Sequence, residues 1–157
     1  MLDRRHFLAV LGASSAALAT GRAFAQTALP KIVVTKDPNC GCCGGWVDHM
    51  KAAGFPVEVV TTPEVNRVKD RLGVPKELAS CHTAEIGGYV IEGHVPADAI
   101  KRLLAEKPQG KGLAVPGMPV GSPGMEVPGA DPDTYEVVLF GPSGQTTFAR
   151  YQGARQV

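Results

Sequence analysis

The chain has 157 residues, of which 44% are hydrophobic and 20% charged, and its formal net charge at pH 7 is +1. This length favours one domain with enough chain to bury a core. The nearly balanced charge argues against a nucleic-acid partner and against binding to an anionic membrane surface.

Residues 1–25 have the pattern of an export signal. Arg4 and Arg5 precede an apolar run of small residues, which ends in the cleavage-type sequence Ala-Phe-Ala. The paired arginines predict a twin-arginine signal, and an ordinary secretory signal that carries two arginines is the alternative. We expect cleavage near Ala25, a periplasmic location and a single mature domain of residues 26–157. No apolar run in that domain approaches the length of a membrane span.

The mature chain opens with alternating strand and helix patterns. The sequence KIVVTK predicts a strand at Lys31–Lys36, and FPVEVVTT predicts another near Pro56–Thr61. Between them, GGWVDHMKAAG has apolar residues at helical spacing and ends at Gly54. The stretch TPEVNRVKDRLG predicts a second helix, with Thr62 as its N-cap and Gly73 at its end.

A hairpin and a third helix follow. Two glycines between Thr83–Ile86 and Tyr89–Glu92 are typical of a two-residue hairpin turn. The sequence VPADAIKRLLAEKP predicts a helix from about Pro96 that is stopped by Pro108. The order strand, helix, strand, helix, hairpin, helix predicts an α/β fold, with a thioredoxin-like mixed sheet and flanking helices.

The C-terminal part has a different composition. Lys107–Asp133 is rich in glycine and proline, which predicts a long loop, and Met118 and Met125 lie within it in Pro-Gly-Met units. Two alternating runs around Gly141–Gly144 predict a terminal β-hairpin.

Three of the four cysteines, Cys40, Cys42 and Cys43, directly precede the first predicted helix. Disulfides are the usual state of cysteines in an exported protein, but a structural disulfide does not require three neighbouring sulfurs. Cys40 and Cys43 also form a Cys-x-x-Cys pair at a helix N-terminus, where the thiolate is stabilised. That position suits thiol–disulfide exchange and metal binding equally, while the third sulfur favours a soft metal ion.

Other candidate ligands lie further along the chain. In thioredoxin-like folds the segment that enters the third strand lies against the active-site turn, and Cys81 and His82 occupy that segment here. Cys81 is a candidate ligand or a buried small side chain, and His82 is a ligand or a helper. His94 either binds metal or is a loop histidine whose ring nitrogens are hydrogen-bonded. Met118 and Met125 either bind metal or pack the loop onto the domain.

The ligand types indicate the metal. Thiolate, thioether and imidazole together favour Cu(I), whereas three cysteines and one histidine also suit tetrahedral zinc. A structural zinc site usually has two separated ligand pairs, which this cysteine cluster does not resemble. Copper is therefore the predicted metal, held as Cu(I) in a cluster of one or more ions, with zinc as the weaker candidate.

Three motifs, CGCCGGW, ASCHTAEIGGYVIEGHVP and GLAVPGMPVGSPGME, resemble the CopG-like periplasmic copper-handling family, and the resemblance covers nearly all of residues 31–150. It implies a thioredoxin-like fold, a periplasmic location and a copper cluster held by the Cys-x-Cys-Cys turn, with Cys81 completing the sulfur set. His94, Met118 and Met125 match family motif positions. The resemblance also implies a role in copper resistance, through a change in the oxidation state of copper.

Three hypotheses of different classes follow. The first is a periplasmic protein that sequesters Cu(I) or hands it on to other periplasmic copper-handling proteins. The second is a thiol–disulfide oxidoreductase that uses Cys40 and Cys43. The third is a structural domain whose cysteines form disulfides. The sequence assigns no enzymatic turnover.

Overall fold

The computed structural model describes residues 28–157, which form one eight-stranded mixed sheet with three α-helices and a short 3-10 helix. The predicted export signal lies outside the described residues. Within residues 28–157, no helix is both long enough and apolar enough to cross a bilayer.

The strands and helices alternate in the first half of the chain, and the strands alone form its end. The strands are β1 (Ile32–Lys36), β2 (Val57–Thr61), β3 (His82–Ile86), β4 (Tyr89–Glu92), β5 (Gly112–Ala114), β6 (Thr134–Gly141), β7 (Gly144–Gln152) and β8 (Arg155–Gln156). The helices are α1 (Gly41–Ala52), α2 (Val65–Leu72) and α3 (Ala97–Glu106), with the 3-10 helix at Lys76–Leu78.

The order of the strands in the sheet is β2-β1-β3-β4-β5-β6-β7-β8. The pairs β1–β2 and β4–β5 are parallel, and the other neighbouring strands are antiparallel. In this register Lys36 at the end of β1 faces His82 at the start of β3, and Thr83 faces Glu92 at the end of β4. The residues that follow β1, precede β3 and follow β4 therefore meet at one end of the sheet.

The structure confirms the predicted order of elements up to the third helix, with one shifted helix start. The N-cap of α2 is Glu64 and not Thr62, whose hydroxyl instead accepts a hydrogen bond from the backbone N–H of Glu64 at 3.1 Å. The helix begins after this turn because Thr62 stabilises the backbone in front of it. It ends as predicted at Gly73, which has a left-handed conformation.

The segment predicted as a continuous loop contains a short strand. Gly112–Ala114 forms β5, which joins β4 to the terminal hairpin and so extends a single sheet across the domain. A side chain at Gly112 would clash with the backbone of Val90, so glycine permits this close approach. The rest of the segment, residues 107–111 and 115–133, contains no helix or strand.

The core lies between the helices and the sheet. In α1 the buried residues Trp46, Val47 and Met50 follow the predicted helical spacing, and the indole N–H of Trp46 donates to the carbonyl of Val95 at 2.9 Å. This bond satisfies the one polar atom of the largest fully buried side chain. It also fixes α1 against the segment that connects β4 to α3.

The buried face of α2 differs from the predicted one. The apolar spacing predicts Val65, Val68 and Leu72 on the core side, whereas the structure buries Val65 and Lys69 and leaves Val68 and Leu72 partly buried. A lysine in this position was not expected, since lysine is rarely buried without a partner.

Candidate metal centre

The cysteine turn, residues 40–43, forms the start of α1. Cys40 is the N-cap, in an extended conformation and without a side-chain capping bond, and the helix starts at Gly41. Cys40 and Cys43 form a disulfide, with their Cα atoms 5.6 Å apart. Cys42 remains a thiol, and its Sγ lies 3.5 Å from the Sγ of Cys40. One helical turn thus brings three sulfurs together.

The fourth sulfur comes from the segment before β3. The Sγ of Cys81 lies 3.8 Å from the Sγ of Cys42, although the two residues are 39 positions apart. The sulfur atoms of all four cysteines lie within 4.8 Å of one another. This follows from the sheet register, because β1 leads into the cysteine turn and the neighbouring β3 starts beside it.

Two histidines form a second group with Cys81. The ligand atoms of Cys81, His82 and His94 lie within 4.8 Å of one another. The Sγ of Cys81 is 3.3 Å from Nδ1 of His82 and 3.0 Å from Nε2 of His94. Cys81 therefore belongs to both groups, and a thiolate at this position can bridge two neighbouring ions.

The hydrogen bonding of His94 defines its tautomer. Its Nδ1 lies 2.8 Å from the carbonyl oxygen of Pro123, which can only accept, so Nδ1 carries the proton. The lone pair of Nε2 consequently faces Cys81. Histidine ligands of metals commonly donate their other ring N–H to a carbonyl in this way. A metal ligand and a fully hydrogen-bonded loop histidine share this arrangement, because the Cys81 thiol can donate to Nε2 when no metal is bound.

Burial controls the protonation of this group. Burial lowers the pKa of His82 to about 3, with the neighbouring His94 adding to the effect, and it also lowers the pKa of His94. Both imidazoles are therefore neutral at pH 7, as metal binding requires. Burial, reinforced by Cys42, raises the pKa of the Cys81 thiol to about 11, so a metal ion that binds this sulfur displaces a proton.

His82 is fully buried beneath the group. Its ring centroid lies 4.6 Å from that of Trp46 and 5.1 Å from that of His94. Its Nε2 is buried and has no hydrogen-bond partner within residues 28–157. A buried polar atom without a partner is costly, which is consistent with a functional constraint on this residue.

The methionine loop, residues 115–133, carries Met118 and Met125. Its backbone contacts both α1 and the segment before β3. Gly124, which precedes Met125, lies so close to the backbone of Trp46 that a Cβ atom there would clash with it. The carbonyl of Gly117, which precedes Met118, accepts a hydrogen bond from the Ser80 hydroxyl at 2.5 Å. Met118 is 53% exposed and Met125 is partly buried. Both thioethers stay candidate ligands on a loop that borders the cysteines.

The sequence did not reveal a buried ion pair behind the site. Nζ of Lys69 lies 2.5 Å from Oε1 of Glu92, and the backbone N–H of Ser80 donates to the same oxygen at 2.6 Å. Burial raises the pKa of the Glu92 carboxyl, and Lys69 acts in the opposite direction. In the sequence, the feature that could have indicated this ion pair is the acidic Glu92 at the end of the otherwise apolar strand YVIE.

Taken together, the fold and the site define a class: a small α/β protein that gathers four sulfurs and two neutral imidazoles at one end of its sheet. A family model described as "Protein of unknown function, DUF411" matches residues 78–125. No curated protein matches the chain.

Two solved structures are similar to this chain over most of its length. They are the copper resistance protein copG in form 1 and in form 2, each with 47% sequence identity and a TM-score of 0.74. The first match covers 80% of this chain and 99% of that chain, and the second covers 78% and 98%. The chain therefore belongs to the CopG-like family, which confirms the resemblance of its motifs.

Proposed function

We propose that the protein binds Cu(I) in the periplasm, as a thiolate cluster, and sequesters it or hands it on in copper homeostasis and resistance. The observation that carries this proposal is the placement of all four cysteine sulfurs within 4.8 Å of one another. The name of the two solved relatives, copper resistance protein, supports the same metal.

The donor set supports copper over zinc. Thiolate and thioether sulfur are soft ligands that select Cu(I), while a thioether contributes little to zinc binding. A structural zinc site holds one ion with four ligands. Here Cys81 is shared between a four-sulfur group and a group with two imidazoles, which gives six candidate protein ligands before Met118 and Met125 are added. That number suits a multinuclear cluster, with thiolates that bridge the ions.

Copper loading would depend on the redox state of the protein. The disulfide between Cys40 and Cys43 must accept two electrons from an external thiol reductant, which breaks the S–S bond and releases both sulfurs as thiolates that can bind metal. We therefore infer that the reduced form takes up copper and the oxidised form has only Cys42 and Cys81 as free thiols.

The cellular location and the fold type are part of the same proposal. We expect the signal of residues 1–25 to direct the protein to the periplasm and to be removed. The strand order β2-β1-β3-β4, with the cysteine turn between β1 and α1, supports a thioredoxin-like core that is extended by β5–β8. Cys-x-x-Cys turns occupy the same place in thioredoxins.

The proposal is tested by titration of the chemically reduced protein with Cu(I) under anaerobic conditions, followed by elemental analysis. We expect more than one copper per chain, and we expect Cys42→Ser to remove most of it while the circular dichroism spectrum stays unchanged. A reduced protein that takes up no Cu(I), or a Cys42→Ser variant with unchanged copper content, would contradict the proposal.

A thiol–disulfide oxidoreductase is the second candidate, and the disulfide between Cys40 and Cys43 is the observation that favours it. In that case Cys40 and Cys43 alone would carry the activity, and Cys42→Ser would leave insulin reduction by dithiothreitol intact. Because Cys42 lies 3.5 Å from Cys40, it would compete with the resolving thiol, which counts against efficient exchange.

A further inference from the structure

We infer that Glu92, neutralised by Lys69, is a positioning residue that anchors the backbone of Ser80 and thereby fixes the Cys81 thiol between the cysteine turn and the histidines. This inference rests on the proposed function, because it concerns the geometry with which the same site would bind Cu(I).

Glu92 lies in the interior at the end of β4. Its side chain is fully buried, and that of Lys69 is 5% exposed. One carboxylate oxygen, Oε1, accepts from both Lys69 and the backbone N–H of Ser80. The other, Oε2, has no hydrogen-bond partner within residues 28–157. Through Oε1 the carboxylate thus joins α2, at Lys69, to the segment that leads into Cys81, at Ser80.

Ser80 connects three parts of the site. Its N–H is held by Glu92, and its hydroxyl donates to the carbonyl of Gly117, next to Met118. Its side chain also lies against Gly93, where a Cβ atom would be only 2.6 Å away. Gly93 separates Glu92 from His94, and its N–H donates to the carbonyl of His82 at 3.0 Å. Ser80 therefore links the segment that carries Cys81 to the backbone between Glu92 and His94 and to the loop at Gly117.

Stability alone does not explain the ion pair. Replacing a buried ion pair by apolar side chains of similar volume is often neutral or stabilising, because both charges lose their hydration on burial. The bond to the Ser80 N–H is different, since an apolar side chain cannot replace it. Groups that orient metal ligands typically affect metal affinity about 10- to 100-fold.

Two double variants separate the effect of the hydrogen bond between Glu92 and Ser80 from the effect of the two charges. Lys69→Met/Glu92→Gln removes both charges and retains a side-chain oxygen that can accept from Ser80. Lys69→Met/Glu92→Leu removes both charges and the acceptor. Each variant and the unaltered protein are reduced, and their Cu(I) affinity is measured by competition with a chromophoric Cu(I) chelator. Copper X-ray absorption then compares the nitrogen and sulfur neighbours of the bound ions.

We expect the leucine variant to bind Cu(I) about 10- to 100-fold more weakly than the unaltered protein, with fewer nitrogen neighbours, and the glutamine variant to recover most of the affinity. Equal affinity and equal spectra in the two variants would overturn the inference while the unaltered protein still binds copper. Failure of the unaltered protein to bind copper would instead overturn the proposed function, and the positioning role with it.

A measurement on the unaltered protein covers the case in which a variant does not fold. Amide hydrogen exchange followed by NMR should show Ser80 protected to the same degree as the amides of β3, although it lies outside the strand. Exchange of the Ser80 amide at the rate of an exposed loop would overturn the inference, because the bond to Glu92 would not hold the segment.

Discussion

Cys81 and His94 lie 13 positions apart in the chain, and the Sγ of Cys81 is 3.0 Å from Nε2 of His94. The same sulfur is 3.8 Å from Cys42, so it lies between the cysteine turn and the imidazoles. Cys81 thus connects the two groups of candidate ligands.

His94 should bind copper through Nε2. His94→Asn can retain the hydrogen bond to Pro123 from the position of Nδ1, but it lacks the Nε2 donor. We expect Cu(I) affinity to fall at least about tenfold, which corresponds to about 1.4 kcal/mol. Chelator competition measures the change. His49→Asn is the matched control, because His49 belongs to neither ligand group, and an equal loss in that variant would argue against a ligand role for His94.

The methionine loop should contribute to the choice of metal. Met→Leu substitution approximately conserves volume and removes the thioether. We expect Met118→Leu/Met125→Leu to weaken Cu(I) binding several-fold and to leave Zn²⁺ binding unchanged, because zinc gains little from thioether sulfur. Met50→Leu, in the core, is the control. If the double variant loses affinity for both metals, the methionines act only by packing.

Gly124 should be needed for the contact between the loop and α1. Gly124 has a φ of +85°, and a Cβ atom there would lie 2.4 Å from the backbone nitrogen of Trp46. Gly129 has a φ of +80° with open space around it. The substitution Gly129→Ala therefore measures the cost of the backbone conformation without a steric clash. We expect Gly124→Ala to lower the free energy of unfolding by about 1–3 kcal/mol more than Gly129→Ala does. Urea denaturation measures the difference, and equal losses would contradict the contact.

The buried ion pair should show strong coupling in its effect on stability. Lys69→Met alone leaves the buried carboxylate of Glu92 without its counter-ion, which should cost about 3–5 kcal/mol. Adding Glu92→Leu should restore much of that loss, because the uncompensated charge is removed. Thermal unfolding of the metal-free single and double variants measures the coupling. A double variant that is less stable than Lys69→Met alone would show that the acceptor for Ser80 matters more than the charge.

Local patterns predicted most of the fold. The glycine pair between β3 and β4, the apolar spacing of α1 and the glycine that ends α2 are signals carried by a few adjacent residues. The strand β5 was missed because three residues between turn-forming glycines and prolines have no periodicity, and only their pairing with β4 and β6 makes them a strand. The sequence likewise could not show that the terminal hairpin joins the same sheet.

The part of the candidate site that consists of typical metal-ligand residue types was predictable from the sequence. Cysteines, histidines and methionines were identified from their type and spacing, and the structure brings the four cysteines and two histidines together. The roles of Lys69, Glu92 and Ser80 were not predictable, because an ion pair between α2 and β4 arises only from tertiary packing. Likewise, the carbonyl of Pro123 that holds His94 is a backbone group, which has no signature in the sequence.

Copper X-ray absorption of the reduced protein, loaded anaerobically with Cu(I), tests the central claim most directly. The proposed cluster predicts that sulfur dominates the first coordination shell of each copper, with a smaller nitrogen contribution that decreases in His94→Asn. It also predicts a copper–copper distance shell, since bridging thiolates bring ions close together. A shell of nitrogen and oxygen only, or no bound copper, would contradict the account.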